Sequence, residues 1–88
     1  MDKYQEIANW LYGELKKQGY LYQEEAVDGI VEKFGEEFVY ENENGNLAID
    51  RKVLKRFREI TGNSVVWVRS EKMWRFREKG DSEGRMQD

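Results

Sequence analysis

From Asp2 to Gln18 the apolar residues Tyr4, Ile7, Ala8, Leu11 and Leu15 recur at three- and four-residue spacing, which predicts one face of a helix. Trp10 and Tyr12 flank that stripe, and Gly19 is placed to end the helix in a left-handed C-terminal position. Tyr20-Leu21-Tyr22 is long enough only for a bridging strand. A second helix is predicted from Gln23 to Phe34, with Ala26, Val27, Ile30, Val31 and Phe34 inward and Glu24, Glu25, Asp28 and Glu32 outward, closed by Gly35. Residues 38–49, FVYENENGNLAI, predict a small hairpin or an extended connection. A two-residue turn on Asn44-Gly45 puts Phe38 and Tyr40 on the same face as Leu47 and Ile49. Asp50 then caps a third helix, with Ile49 and Leu54 as a hydrophobic staple, and that helix runs to Ile60 or Thr61 before Gly62. SVVWVRSEKMWRFRE alternates as two strands around a turn near Ser70-Glu71. The implied register pairs Val65 with Phe76, Trp67 with Trp74 and Val68 with Met73, so Val65, Trp67, Trp74 and Phe76 form one core-facing layer. GDSEGRMQD, residues 80–88, has no periodicity and reads as a flexible tail behind a single domain spanning 1–79.

A chain of 88 residues has a core of only marginal size, and this one has neither cysteine nor histidine to supplement it with disulfides or ordinary zinc sites. Three Trp, five Tyr and four Phe offset that shortage, because a few large rings fill a small core. The start, MDKYQEIANW, lacks the basic and apolar regions of a signal peptide. No later stretch approaches the ~18 apolar residues of a membrane span. A soluble cytoplasmic protein, with no membrane partner, is the expectation.

The formal net charge of −3 conceals a strong asymmetry. Residues 1–50 carry four Lys against twelve Asp and Glu, a balance of −8, whereas residues 51–79 carry ten Lys and Arg against three Glu, a balance of +7. The basic half is concentrated in RKVLKRFREI, residues 51–60. On a helical wheel Val53, Leu54, Phe57, Ile60 and Thr61 gather in an arc of roughly 120°. Arg51, Lys55 and Arg58 form an outward ridge flanked by Lys52 and Arg56. Such a ridge suits phosphate contacts, the sequence-independent part of DNA affinity. It has no Asn, Gln or Ser to read base edges, so weak specificity is implied. The competing reading is a solvated face, or one paired with the acidic second helix. On the hairpin, Arg75 and Arg77 are candidate supporting contacts, or cations at a solvated edge. Val66, Val68 and Met73 share their face and suit a dimer or protein-partner surface if exposed. Trp67 and Trp74 share the parity of Val65 and Phe76, which marks them as core rather than as a base-stacking platform.

Other chemistry finds little purchase. Aligning Gly45 with the glycine of a calcium loop puts Tyr40 where the first Asp belongs and Arg51 where the bidentate Glu belongs, so ENENGN reads as a turn and no metal is expected. Glu24/Glu25 and Glu36/Glu37 are adjacent, and neighbouring helical positions point about 100° apart. Ser64 and Ser70 have no histidine to activate them, and no phosphate-cradling loop occurs. A non-enzymatic protein without cofactor is expected.

The order helix, very short strand, helix, helix, two-stranded hairpin resembles that of a winged helix-turn-helix domain: an α+β, winged-helix-like fold covering roughly residues 2–79, with three helices, a short strand and a C-terminal β-hairpin. The resemblance implies a recognition helix at 50–61 and a wing at 64–78. The segments YLYQEEAV, FGEEFVYENENGNLAID and VVW…MWRFRE are also similar to those of a small uncharacterised bacterial family, which implies no activity. One departure is the connection of about fourteen residues between the second and third helices, where a helix-turn-helix has a turn of 3–4. Two functions remain open. One is a module meeting duplex DNA through Arg51, Lys52, Lys55, Arg56 and Arg58, with Arg75 and Arg77 in support. The other is a protein-interaction or self-association domain using Glu24, Glu25, Asp28 and Glu32 with Val66, Val68 and Met73.

Overall fold

The computed structural model describes residues 2–81, 84, 86 and 87. Helix α1 spans Lys3–Gln18, β1 Tyr20–Tyr22 and α2 Gln23–Lys33; a 3-10 turn at Glu36–Phe38 leads into β2 Val39–Glu41 and β3 Leu47–Ile49. Helix α3 spans Arg51–Thr61, followed by β4 Val65–Val68, β5 Met73–Phe76 and β6 Met86–Gln87. The protein is α+β, with three helices, a two-stranded antiparallel hairpin β2-β3 and a four-stranded sheet ordered β1-β5-β4-β6. Within that sheet only the β4-β6 pairing is parallel.

The helix boundaries follow their capping chemistry. Asp2 accepts from the Gln5 amide at 2.7 Å and Gly19 closes α1 at φ +85°. Asp50 accepts from the Lys52 amide at 2.7 Å and opens α3. Ile7, Ala8, Leu11 and Leu15 of α1 are buried against Val53 and Phe57 of α3, and Ala26, Val27 and Ile30 of α2 complete the helical wall. The sheet covers this wall with Leu21, Val65 and Trp74. The predicted hairpin register is the observed one: Val65 opposite Phe76, Trp67 opposite Trp74, Val68 opposite Met73. Trp74 meets Phe57 edge-on at 5.5 Å and Trp67 at 4.6 Å, which places the tryptophan pair in the core layer.

The smaller hairpin differs by one residue from the expectation. Val39 pairs with Ile49, Tyr40 with Ala48 and Glu41 with Leu47. The loop therefore holds three residues, 43–45, between Asn42 and Asn46 rather than two. The Asn42 carboxamide oxygen accepts from the amides of Asn44 and Asn46, and Gly45 takes the left-handed conformation at φ +79° that ends such a loop. A one-residue slip exchanges faces. Val39 now lies with Ile49 toward the core, and Tyr40 is turned outward, 38% exposed. Phe38 reaches the core from the 3-10 turn instead, edge-on to Tyr4 at 6.0 Å.

The segment predicted as a tail is only partly within the described residues. Asp81 forms a turn with Glu78, its carboxylate accepting from the Glu78 amide at 2.6 Å. Met86 and Gln87 pair beside Trp67 and Val68 on the outer edge of β4.

Candidate nucleic-acid interface

Helix α3 owes its orientation to one apolar stripe. Val53, Phe57 and Thr61 are buried and Leu54 and Ile60 half-buried, so the remaining positions must face outward. The Thr61 hydroxyl donates to the Phe57 carbonyl at 2.9 Å, which removes the one buried polar side chain of the helix from the cost of desolvation. Arg51, Lys52, Lys55 and Arg58 are exposed, and Arg51, Lys55 and Arg58 follow one another along a ridge of about 10 Å at the helical rise of ~1.5 Å per residue. Among the described residues none of these three carries a carboxylate partner. The Arg51 guanidinium lies over the Tyr40 ring at 5.7 Å, and the Lys52 ammonium over the Tyr4 ring at 5.3 Å. Both contacts hold a cation at the surface without neutralising it.

Arg56 has a different fate. Its guanidinium reaches the Asp2 carboxylate at 2.8 Å, the same carboxylate that caps α1, and approaches Glu59 at 4.0 Å. It ties α3 to the start of α1. The hairpin arginines are also engaged. Arg75 is a bidentate partner of Asp81, with both contacts at 2.8 Å, and donates to the Phe76 carbonyl. The paired guanidinium and the Glu78 amide hold the Asp81 carboxyl well below the usual carboxylate range. Arg77 donates through Nε to the Asn63 carbonyl at 2.7 Å and through a terminal nitrogen to the Gly84 carbonyl. The structure thus brings Arg51, Lys55 and Arg58 together on one face and separates Arg75 and Arg77 from it functionally.

The residues of the competing reading divide in the same way. Glu24, Glu25, Asp28 and Glu32 are exposed on α2, with no cation paired to them among the described residues. Val66 and Val68, expected as an exposed apolar patch, are instead 0% and 7% exposed, and Met73 is half-buried. The correction has a local cause. On that face Arg75 stands directly opposite Val66 and Met73 opposite Val68, and the Arg75 guanidinium is held there by its pair with Asp81. What the second face leaves exposed is the Tyr20–Tyr22 pair, each ring 41% exposed and edge-on at 5.6 Å.

Two recesses open on the surface, the first of them at the ridge. An apolar cleft of 240 Å³ lies between α3, β3 and the sheet, lined by residues including Ile49, Leu54, Phe57, Trp67 and Trp74, with Arg58 at its lip. An open groove of 920 Å³ separates the β2-β3 loop from the β4-β5 loop, walled by Glu24, Glu25 and Asp28 on one side and Arg69 and Lys72 on the other. No group of three or more Asp or Glu among the described residues is gathered closely enough to hold a metal ion.

A family model described as a family of unknown function, DUF6953, matches residues 3–76. The chain belongs to that family. The match covers every element of the DUF6953 domain from α1 through β5 and stops before Asp81 and β6. No curated protein and no solved structure matches the chain. Among the described residues of this DUF6953 member no helix is long and apolar enough to cross a membrane.

Asp81 and Asp2 are the participants that sequence reasoning misses. Each is an isolated acid whose partner is set by tertiary placement: Arg75 from an outward strand position, Arg56 from the flank of a helix 54 residues away. No local pattern marks either.

Proposed function

We propose that this domain is a winged-helix-like, non-enzymatic module of the cytosol that holds duplex DNA with little sequence preference through the outward ridge of α3. The observation that carries the reading is the alignment of Arg51, Lys55 and Arg58 on one exposed face without a carboxylate partner among the described residues. The fold half of the reading rests on element order and on the sheet order β1-β5-β4, in which the last strand returns beside the strand between the first two helices. Lys52 adds charge at the edge of the ridge, and Arg56, held by Asp2, fixes its position relative to α1. Because Arg75 and Arg77 hold the chain beyond β5, the proposed contact surface is the helix alone.

A contact of three phosphates predicts a salt slope of about −2.7 in log K against log salt, which corresponds to roughly 40-fold weaker binding between 50 and 200 mM. Fluorescence anisotropy with a mixed-sequence duplex at those two concentrations tests this. Replacing Arg51, Lys55 and Arg58 with Glu should remove the salt-sensitive binding while far-UV circular dichroism stays unchanged. Binding that survives the triple replacement refutes the proposal.

The second reading, a protein-interaction or self-association domain, is favoured by the four exposed acids Glu24, Glu25, Asp28 and Glu32 on α2, none of them paired with a cation of α3 among the described residues. With Val66 and Val68 buried, such an interface is electrostatic. A dimer in 50 mM salt that dissociates at high salt, read by sedimentation velocity, supports it over the first.

A further inference from the structure

The outer edge of β4 and the cleft beside it form a groove already seated by the chain itself. Met86 and Gln87 pair in parallel with Trp67 and Val68, leaving the first half of β4, Val65 and Val66, without a neighbour from β6. Pairing with Trp67 puts Met86 on the cleft side of the sheet, where it lines the 240 Å³ cleft with Ile49, Leu54, Phe57 and Trp74. Yet Met86 is 58% exposed: it lies at the rim and leaves the cleft open. That volume is the share of about eight waters in the liquid, room for an aromatic ring. Among the described residues, the contacts that tie the approach to this strand are the Arg75–Asp81 pair and the Arg77 contact to the Gly84 carbonyl, whereas Met86 itself is little buried.

We propose that this groove binds, in trans, an extended peptide that adds a strand to β4 and inserts a bulky apolar side chain into the cleft beside a carboxylate, the chain's own β6, Met86–Gln87, being a weak resident occupant. Strand addition supplies main-chain hydrogen bonds and the pocket supplies side-chain selectivity. The carboxylate follows from Arg58, the charged residue of the cleft lining. Competition between cis and trans occupants follows from shared geometry, because both use the outward amides and carbonyls of β4. The site shares only Arg58 with the proposed DNA ridge, so either reading stands or falls without the other.

The test uses the full chain and a fluorescein-labelled peptide of residues 80–88 carrying Met86→Trp, titrated by anisotropy. Asp81→Asn breaks the retaining pair, and Met86→Gly weakens the resident strand at an exposed position without touching the core. Each variant should bind the probe at least tenfold more tightly than the wild-type chain, with circular dichroism confirming the fold. Ala48→Leu, which adds bulk to the cleft wall, should return the Asp81→Asn variant to wild-type binding or weaker. Equal binding by all variants, or indifference to Ala48→Leu, overturns the proposal. Dimerisation of Asp81→Asn that excludes the probe also overturns it, by assigning the groove to the same segment of a second copy.

Discussion

Two helical glycines carry opposite predictions, and the contrast rests on a single contact. A methyl group added at Gly13 in α1 meets nothing within 4 Å, so Gly13→Ala should gain the helix propensity difference of about 1 kcal/mol. At Gly29 in α2 the same methyl would lie 2.2 Å from Cη2 of Trp10 and 3.0 Å from Cζ2. The indole must move outward by more than 1 Å to restore ordinary van der Waals contact at ~3.5 Å. Trp10 is not free to do so without loss, because it is half-buried against the core and edge-on to Phe34 at 5.9 Å. Overpacking costs about 1–3 kcal/mol and a lost aromatic pair about 0.5–1.5 kcal/mol. Against the ~1 kcal/mol propensity gain, the net is a destabilisation of about 2 kcal/mol. With an unfolding entropy of ~2.1 cal/mol/K per residue, a chain of this length should lose about 10 °C in Tm. Thermal unfolding followed by circular dichroism, with urea titrations for the free energies, measures both variants. In a Trp10→Ala background, Gly29→Ala should become stabilising by about 1 kcal/mol. A Gly29→Ala chain with a raised Tm in the wild-type background would refute the close approach of α2 to Trp10.

Three further outcomes are expected. Asp2→Ala removes both the α1 cap and the partner of Arg56, and should cost about 1–2 kcal/mol in urea denaturation; most of that is the cap, because the ion pair is exposed. Gly45→Ala should cost about 1–2 kcal/mol, since φ +79° is a left-handed conformation an alanine resists, and Gly45→Asn should cost less. The Asp81 carboxyl has a lower pKa folded than unfolded, so its pairing with Arg75 contributes fully above the ordinary carboxylate value of ~3.9 and declines progressively below it, until pH falls through the depressed folded value. Hydrogen-exchange protection at Met86 and Gln87, corrected for intrinsic rates, should therefore hold at about pH 5 and fall progressively as pH drops from about 4 toward 2, and Asp81→Asn should show low protection across that range.

How much of this was legible depends on how local each determinant is. Helices α1 and α3 are specified by apolar spacing, and the cap expected of Asp50 is made; Asp2 caps α1 as well, a role its sequence position did not announce. The β4-β5 register follows from matched apolar parity, where a slip would bury charge. The β2-β3 hairpin has no such penalty: its residues are short and mixed, and Asn44-Gly45 favours a two-residue turn by itself. Asn42, bonding two amides across the loop, shifts the balance to three residues. Less legible still was the fate of the arginines. Arg56 and Arg58 sit two positions apart on one helix, yet one meets an acid and the other meets solvent, because only the first flanks the start of α1. The pairing of Arg75, the residue opposite Val66, was out of reach for the same reason, since its partner Asp81 is an acid in an aperiodic segment.

The charge asymmetry of the sequence could have been neutralised by folding, the acids of α2 pairing with the cations of α3. It is not: the ion pairs of the described residues join Lys3 to Glu6, Lys17 to Glu14, Arg56 to Asp2 and Glu59, and Arg75 to Asp81, none of them from α2 to α3. The acids of α2 and the ridge cations of α3 are thus left to outside partners. The net charge of −3 is therefore a poor guide to what α3 attracts. The two proposed partners of that ridge, a DNA backbone and the acidic α2 of a second copy, compete for the same three cations. Raising the protein concentration at low salt should for that reason weaken DNA occupancy per molecule if both attractions operate, whereas DNA binding alone leaves the titration independent of protein self-association.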